Sequence, residues 1–306
     1  MRIADLYAAN RALGRPTISF EFFPPKTAEA EETLFARTLP RLRALGPDFI
    51  SVTYGAGGST RDKTLGIVAR ARRELGLEAM AHLTCVGASR AMLASVLDEA
   101  RVLGIENILA LRGDPPAGET DFQPAPDGLS YAHELVALVR AYGFSVGVAG
   151  FPEGHLASGG DKHADWAYLR AKVEAGAEFV LTQLFYDNRD YFEFLDYLQG
   201  KLGVTVPIVP GVLPILSTAQ IKRFTALCGA RLPAPLLARL EALGDDDEAV
   251  TRLGIEVATE QCRELLARGA PGLHFYTLNR ARSVSAVLEN LGLAARPPAL
   301  AGAPGA

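Results

Sequence analysis

The chain has 306 residues, of which 49% are hydrophobic and 22% are charged, a composition typical of a globular protein with a large core. The net charge of −4 and the lack of a basic stripe argue against nucleic acid or an anionic membrane as a partner. The three cysteines, Cys85, Cys228 and Cys262, are widely spaced without a CxxC motif, which predicts a cytoplasmic protein without structural zinc. Residues 1–16 are charged and lack an apolar core, so we expect no secretory signal.

Eight short apolar and β-branched runs predict strands. They cover residues 18–23, 49–53, 79–83, 107–111, 145–149, 179–184, 207–211 and 273–276. Amphipathic stretches of helical period lie between them, at residues 30–44, 64–74, 90–102, 131–140 and 164–174, and several end in glycine. The longer last interval contains extra predicted helices within residues 235–267.

This alternation predicts the α/β class and, within it, a (β/α)8 TIM barrel. Strand starts recur about every 30 residues, the length of one strand–helix unit. We assign residues 1–293 to a single barrel domain. The tail of residues 294–306 is rich in Ala, Pro and Gly, and we predict that it is disordered.

Polar residues lie at the predicted carboxyl ends of most of these strands. They are Glu21, Thr53, His82, the run Arg112–Gly113–Asp114, the segment "GFPEGH" of residues 150–155, Thr182 with Gln183, and Tyr276 with Asn279 and Arg280. The carboxyl ends of barrel strands form the face on which active sites lie. The pattern therefore predicts an enzyme.

Glu21 is the most unusual of these residues, because it lies between aromatic residues in "ISFEFFPPK". A buried carboxylate costs free energy unless it is paired or protonated. Glu21 is therefore either part of a structural ion pair or an acid kept for chemistry. A second carboxylate, Asp114, lies between Gly113 and two prolines, and two carboxylates in different surroundings can divide acid and charge-stabilising roles.

Familiar cofactor and metal motifs are absent from the sequence. It contains no GxGxxG motif and no P-loop, and the glycine-rich "YGAGGST" of residues 54–60 is either a plain connection or a loop that approaches a ligand. The five histidines show no HxxH or HExxH spacing, so we predict no metal site. We interpret His274 as a core-facing residue of the last strand.

Eight motifs in register resemble the methylenetetrahydrofolate reductase family in its bacterial flavoprotein form. They are "SFEFFPPK", "SVTYGAGGSTRD", "AHLTC", "LALRGDPP", "FPEGH", "TQLFYD", "PGVLP" and "HFYTLNRA". The resemblance implies FAD-dependent reduction of 5,10-methylenetetrahydrofolate to 5-methyltetrahydrofolate, in which NADH or NADPH and then the folate use the same flavin face. It also implies a link to methionine synthesis and a homodimer or homotetramer.

The resemblance also assigns roles to residues. Glu21 is implied as the general acid that opens the folate ring, with a pKa raised toward neutrality by its aromatic surroundings, and Asp114 as the charge that stabilises the cationic intermediate. The implied flavin contacts are Thr53, Tyr54, Ala56, His82, Arg112, Gly113, Asp114, Tyr131, Ala132, Phe151, His155, Asp165, Tyr168 and Lys172. The implied substrate contacts are Gln183, Gln220, Phe224 and Arg280.

Some of these assignments have competing interpretations. Phe151 and Tyr168 depart from the Tyr and the polar amide common in the family, and Phe151 loses a hydroxyl hydrogen bond. Lys172 and His155 suit a diphosphate by charge, although a lone helical lysine is commonly just solvated. Phe224 either stacks on substrates or belongs to a helix core.

Three other functions fit a barrel with polar strand ends. One is a lyase or aldolase in which Lys26 or Lys172 forms a Schiff base. Another is a folate-binding barrel that transfers a methyl group without flavin, and a third is a binding barrel without catalysis. Flavin absorbance would exclude the first two, and unchanged turnover after Glu21→Gln would favour the third.

Overall fold

The computed structural model describes residues 1–54, 61–115 and 122–294, and it confirms the predicted closed barrel. The strands are β1 (Thr17–Phe22), β2 (Phe49–Val52), β3 (Ala79–Thr84), β4 (Asn107–Leu111), β5 (Ser145–Gly150), β6 (Phe179–Leu184), β7 (Ile208–Val212) and β8 (Gly272–Tyr276). All neighbouring pairs are parallel, including β1 with β8. The carboxyl ends of all the strands therefore meet at one rim.

Helices surround this barrel. They are α1 (Ile3–Ala12), α2 (Ala28–Thr33), α3 (Leu39–Arg43), α4 (Arg61–Leu75), α5 (Arg90–Val102), α6 (Ala132–Ala141), α7 (Lys162–Glu174), α8 (Asn188–Gly200), α9 (Thr218–Cys228), α10 (Ala234–Glu241), α11 (Asp247–Ala267) and α12 (Arg282–Asn290). The extra helices predicted before the last strand are α10 and α11. Among the described residues, no helix is both long enough and apolar enough to cross a bilayer.

The single helix predicted over residues 30–44 is wrong, because the structure divides it. A π-helical turn, Leu34–Thr38, separates α2 from α3. Pro40 lies in the first turn of α3 and has no N–H to donate to the preceding turn. The wider turn before it accommodates the missing hydrogen bond without ending the helical path.

Strand alternation creates two apolar layers. Ile18, Phe20 and Phe22 of β1 point outward and belong to the large core between the strands and the helices. A second cluster fills the barrel interior near the amino ends of the strands. There Phe49 and Phe179, from the starts of β2 and β6, contact side chains of α1.

Helix α1 closes the amino end of the barrel, which the sequence analysis did not predict. The Tyr7 ring lies 6.1 Å from the Phe49 ring and 5.4 Å from the Phe179 ring, measured between centroids. The Ile3 N–H donates to Asn107 Oδ1 at 2.8 Å, at the first residue of β4. With the amino end filled, the carboxyl rim is the end at which polar side chains can meet a ligand.

Two predictions concern residues outside the described ranges. The tail assigned to disorder is described only at its first residue, and residues 295–306 lie outside the described part of the chain. Ala56, an implied flavin contact, also lies outside it. Both remain predictions.

Candidate active site

Glu21 points into the barrel near the carboxyl end of β1, with 7% of its surface exposed. Its Oε2 lies 3.2 Å from His274 Nε2 and 3.5 Å from His82 Nε2. Both imidazoles are buried, and they come from β8 and β3. Glu21 is therefore paired as well as placed at the rim, so its surroundings satisfy both interpretations of a buried glutamate.

Phe20 and Phe22 do not form the aromatic wall expected around Glu21. Phe20 and Phe22 flank it in sequence, but alternation turns their side chains into the outer layer. The residues paired with Glu21 across the sheet are Ser51 of β2 and Tyr276 of β8. The carboxylate therefore has mainly polar neighbours.

These neighbours reverse the expected titration of Glu21, so the predicted rise of its pKa is wrong. Burial is the largest single effect and raises the pKa, but the imidazoles of His82 and His274 together lower it below the ordinary value. Burial also lowers the pKa of His82 to about 4, which leaves that imidazole neutral at pH 7. The hydrogen bond with His274 is then the contact that stabilises the Glu21 carboxylate.

His274 connects Glu21 to a third polar residue, Ser19. Ser19 Oγ lies 2.8 Å from His274 Nδ1, on the opposite side of the ring from Glu21. If Nε2 carries the hydrogen and donates to the carboxylate, Nδ1 is free to accept from the Ser19 hydroxyl. Ser19, His274 and Glu21 thus form one hydrogen-bonded series across β1 and β8.

His274 lies in the core as predicted from the sequence, but its contact with Glu21 was not predicted. The residue is indeed fully buried. The available signal was alternation, since His274 and Tyr276 share one face of β8 and Ser19 and Glu21 share one face of β1. What alternation alone does not reveal is that the first and last strands are hydrogen-bonded neighbours.

The loop after β8 holds the backbone at the end of β1. Thr277 Oγ1 donates to the Glu21 carbonyl at 2.7 Å. The Asn279 side-chain amide accepts from the Phe23 N–H and donates to the Phe23 carbonyl, both at 2.9 Å. Leu278 and Asn279 have φ angles of 50° and 56°, a left-handed conformation that persists in such residues only where surrounding contacts enforce it. Glu21 is therefore firmly positioned.

A second polar group surrounds Lys172 of α7. Its Nζ donates to the Ala149 carbonyl near the end of β5 at 2.8 Å, so Lys172 is not the solvated helical lysine of the competing interpretation. Burial lowers the pKa of Lys172 to about 8, with Arg112 lowering it further and Asp165 opposing the shift. The ammonium group remains largely charged at pH 7.

The loop after β5 brings two more predicted residues to this cation. The rings of Phe151 and His155 meet edge to face at 4.6 Å, and Trp166 Nε1 donates to the Phe151 carbonyl at 2.9 Å. Burial lowers the pKa of His155 and raises the pKa of Asp165, and each residue opposes the shift of the other. Lys172 and Arg112 thus place two cations beside His155, Asp165 and Asp114, and such cations suit an anion.

The implied substrate contacts lie on three elements. Gln183 is half-buried in β6, where its Oε1 accepts from the Leu184 N–H at 2.9 Å. Gln220 and Phe224 are half-buried on α9, and Phe224 packs against the apolar cluster between α9 and α10. Arg280 is exposed and lines a small pocket beside Tyr276 and Thr277.

The remaining implied flavin contacts lie after strands or on helices. Thr53 and Tyr54 follow β2, Arg112, Gly113 and Asp114 follow β4, Tyr131 and Ala132 lie at the start of α6, and Tyr168 lies on α7. Asp114, Tyr131 and Tyr168 are exposed. Lys26, considered for a Schiff base, is also exposed, which does not provide the buried amine that this chemistry requires.

A closed (β/α)8 barrel with a buried acid–imidazole group and the side chains of Lys172 and Arg112 at its strand ends defines the class of barrel proteins that carry enzymatic sites. The family model for methylenetetrahydrofolate reductase matches residues 7–292. The chain belongs to the methylenetetrahydrofolate reductase family.

Curated relatives agree with this assignment. The chain is 42% identical over 304 residues to methylenetetrahydrofolate reductase (NADH) 1 of Arabidopsis thaliana, covering 96% of this chain and 51% of the plant protein. It is 38% identical to the 5,10-methylenetetrahydrofolate reductases of Pectobacterium carotovorum, covering 92% and 91% of the two chains, and of Salmonella typhimurium, covering 92% of each. The chain thus spans about half the length of the plant relative and most of the length of the bacterial ones.

A solved structure shares the fold. It is an uncharacterized protein from Clostridium thermocellum, described as binding two copies of 5-methyl-5,6,7,8-tetrahydrofolic acid. It aligns with a TM-score of 0.60 and 16% identity, covering 92% of this chain and 96% of that one. At this identity the likeness supports the barrel architecture alone.

Proposed function

We propose that the protein reduces 5,10-methylenetetrahydrofolate to 5-methyltetrahydrofolate, with NADH or NADPH as the reductant and FAD as the electron carrier. The observation that carries the proposal is Glu21, a buried acid in contact with His274 at the carboxyl rim of a barrel that the family model matches almost throughout. The plant relatives carry NADH in their names, so NADH is the first reductant to test.

The residues near the rim fit FAD by their chemistry. Lys172 and Arg112 would hold the diphosphate by charge, and His155 beside them would add a hydrogen bond, although the acids Asp165 and Asp114 also act on this group. Thr84 Oγ1 is buried and has no hydrogen-bond partner among the described residues, which leaves a polar atom available to a ligand. Bound FAD would supply the two-electron carrier that the nicotinamide and the folate use in turn.

Glu21 would control the proton in the folate half of the reaction. As a carboxylate it accepts from His274 Nε2. A flat ring bound over the rim would exclude water and strengthen the effect of burial, which already acts to raise the pKa of Glu21. Glu21 would then take up a proton at its carboxylate and donate it to the folate ring nitrogen, and His274 would stabilise the returning carboxylate.

The other residues would bind and orient the substrates. Asp114 would place a negative charge beside the cationic folate intermediate. Gln183 would hydrogen-bond each substrate in turn, and Gln220 and Phe224 would contact them from α9. Arg280, exposed beside the small pocket, would suit a folate carboxylate.

One observation favours a different function, a Schiff-base lyase. The pKa of Lys172, lowered to about 8, is a property of lysines that form imines. Its Nζ, however, already donates to the Ala149 carbonyl. Borohydride trapping of a carbonyl substrate on Lys172 would support the lyase, and no trapping is expected.

The experiment that tests the proposal is purification followed by an absorbance spectrum and anaerobic half-reactions. We expect flavin absorbance that NADH or NADPH bleaches and that methylenetetrahydrofolate restores. A colourless protein that binds no added FAD, or a reduced flavin that folate does not reoxidise, would contradict the proposal. Sedimentation of the same sample tests the predicted homodimer or homotetramer.

A further inference from the structure

The loop after β5 is bound to the carboxyl end of α9 by a side chain that the proposed chemistry does not use. Both carboxylate oxygens of Glu153 lie 3.1 Å from the Arg231 backbone nitrogen, which donates to them. Leu156 packs beside this contact against Gly229, where an added Cβ would lie 2.7 Å from Leu156 Cδ2. Gly229 ends α9 with a φ of 78°. One polar and one apolar contact therefore join the two segments.

Apart from the apolar packing of Ile221, Phe224 and Cys228, the described contacts of helix α9 with other elements are few. Of its 11 residues, Ile221 and Thr225 are buried. At its amino end, the Thr218 hydroxyl donates to the Leu240 carbonyl at 3.4 Å, and Lys222 forms an exposed ion pair with α10. A helix held by so few buried side chains shifts at low cost. The position of its carboxyl end therefore depends strongly on the contact with Glu153.

The surroundings of Glu153 are unfavourable for a purely structural acid. Its side chain is 15% exposed, and the Arg231 guanidinium that faces it also binds Asp190 at 2.9 Å. Burial raises the pKa of Glu153 to about 7, and Asp190 and Asp187 raise it further against the effect of Arg231. A perturbed acid near a rim of functional residues is more characteristic of a site than of a surface ion pair.

We infer that Glu153 is a positioning residue that couples the loop carrying Phe151 and His155 to the helix carrying Gln220 and Phe224. The loop belongs to the cofactor side of the site and α9 to the substrate side. Bound cofactor would fix the position of the loop. Through Glu153, the loop would then fix the position of the substrate-contacting face of α9. The inference rests on the proposed function for what the two segments bind, but the coupling itself rests on the contacts described above.

The experiment compares four variants of the purified, flavin-loaded protein. Glu153→Ala removes the acceptor, and Glu153→Gln keeps one acceptor oxygen for the Arg231 N–H. Arg231→Ala keeps that N–H but removes the guanidinium, and with it the ion pairs to Asp190 at 2.9 Å and to Glu153 at 3.7 Å. The control is Glu193→Ala on α8, which removes an exposed ion pair with Lys162 of α7.

For Glu153→Ala we expect the KM for methylenetetrahydrofolate to rise about tenfold, with kcat within about twofold of wild type, because α9 is misplaced while Glu21 is unchanged. Hydrogen exchange should increase in residues 151–156 and 218–231 together. Glu153→Gln should largely restore both readouts, and Arg231→Ala and the control should resemble wild type.

Two results would overturn the inference. One is an unchanged KM and unchanged exchange on α9 in Glu153→Ala, with only the unfolding temperature lowered. The other is an effect of Arg231→Ala equal to that of Glu153→Ala, which would assign the role to the ion pairs of the Arg231 guanidinium instead. If the wild-type protein does not reduce folate, the proposed function fails, and the exchange measurements still decide whether the two segments are coupled.

Discussion

At the residue scale, the two acids assigned to the chemistry lie in contrasting places. Glu21 is buried and contacts His274, whereas Asp114 is exposed in the loop after β4. The two acids thus differ in their surroundings, as predicted from their flanking residues, but the division of roles between them remains a prediction. The surroundings of Glu21 are not the predicted ones, because imidazoles rather than phenylalanine rings lie against its carboxylate.

Replacing Glu21 with Gln should separate the two half-reactions. Reduction of the flavin by NADH or NADPH should stay near the wild-type rate, because it requires no acid for folate. Reoxidation by methylenetetrahydrofolate should slow by about a hundredfold or more. Stopped-flow absorbance measures both rates on one sample. The matched control is Glu174→Gln, which changes an exposed glutamate of α7 paired with Arg170. Equal losses in both half-reactions of Glu21→Gln would instead assign Glu21 to folding or flavin binding.

Replacing Lys172 with Met should change stability and cofactor binding in opposite directions. Burial holds the pKa of Lys172 near 8, so charging this group at pH 7 costs the folded state free energy that the unfolded chain does not lose. We expect the flavin-free variant to be more stable by about 1–2 kcal/mol, after allowing for the lost hydrogen bond to Ala149. FAD affinity should fall about tenfold or more.

Urea unfolding of the flavin-free protein and titration with FAD measure the two effects of Lys172→Met. Lys201→Met, at an exposed position after α8, provides the control and should change neither quantity. Unchanged FAD affinity in Lys172→Met would remove this residue from the cofactor site.

At the scale of single elements, close packing decides the position of α11. Gly254 lies in the middle of this helix and faces the backbone of Ile215 in the segment after β7, where an added Cβ would lie 2.0 Å from the Ile215 carbonyl oxygen. Glycine normally weakens a helix interior. Here it allows the helix to contact the segment that leads from the barrel to α9.

Gly254→Ala should therefore destabilise the protein by about 1–3 kcal/mol despite the better helix propensity of alanine, because the backbone of one segment must move. Gly66→Ala on α4 is the matched control, since nothing lies within 4 Å of its added Cβ. That variant should gain up to about 1 kcal/mol. Equilibrium urea unfolding measures both, and equal effects of the two substitutions would contradict the packing argument.

Element prediction succeeded where the pattern is local and failed where one residue or a distant surface intervened. The strand periodicity placed every strand end within one residue of its observed position. Pro40 divides the helix over residues 30–44 that periodicity alone predicted to be continuous. Helix α1 escaped notice because its apolar residues are matched to the starts of β2 and β6, which no local pattern reveals.

At the scale of the whole molecule, barrel closure makes stability depend on pH through His82. Burial lowers its pKa to about 4 in the folded protein, whereas the unfolded chain retains an ordinary value near 6.5. Between these values the unfolded chain binds a proton that the folded protein does not. The free energy of unfolding therefore falls as the pH drops through this window, and the lowered pKa of Glu21 acts in the same direction at lower pH.

We expect His82 alone to remove about 2 kcal/mol of stability between pH 7 and pH 5. Urea unfolding of wild type and His82→Gln at both pH values measures this, and the variant should lose correspondingly less. His163→Gln, an exposed position on α7, is the control and should follow wild type. A variant that loses as much as wild type would show that His82 is not held neutral in the folded protein.

The sequence by itself determined the barrel, the strand ends and most of the residues that meet at the rim. The reason is that two features are local: the apolar run of a strand buried on both faces, and the polar residues that lie at or just after its end. Tertiary structure alone decided the ionisation of Glu21, the contact of Lys172 with β5, and the link from Glu153 to α9. Closure of the barrel brings His274 to Glu21 across 253 residues of chain. A pKa depends on the charges and hydrogen bonds within a few ångströms, and those neighbours exist only once the last strand pairs with the first.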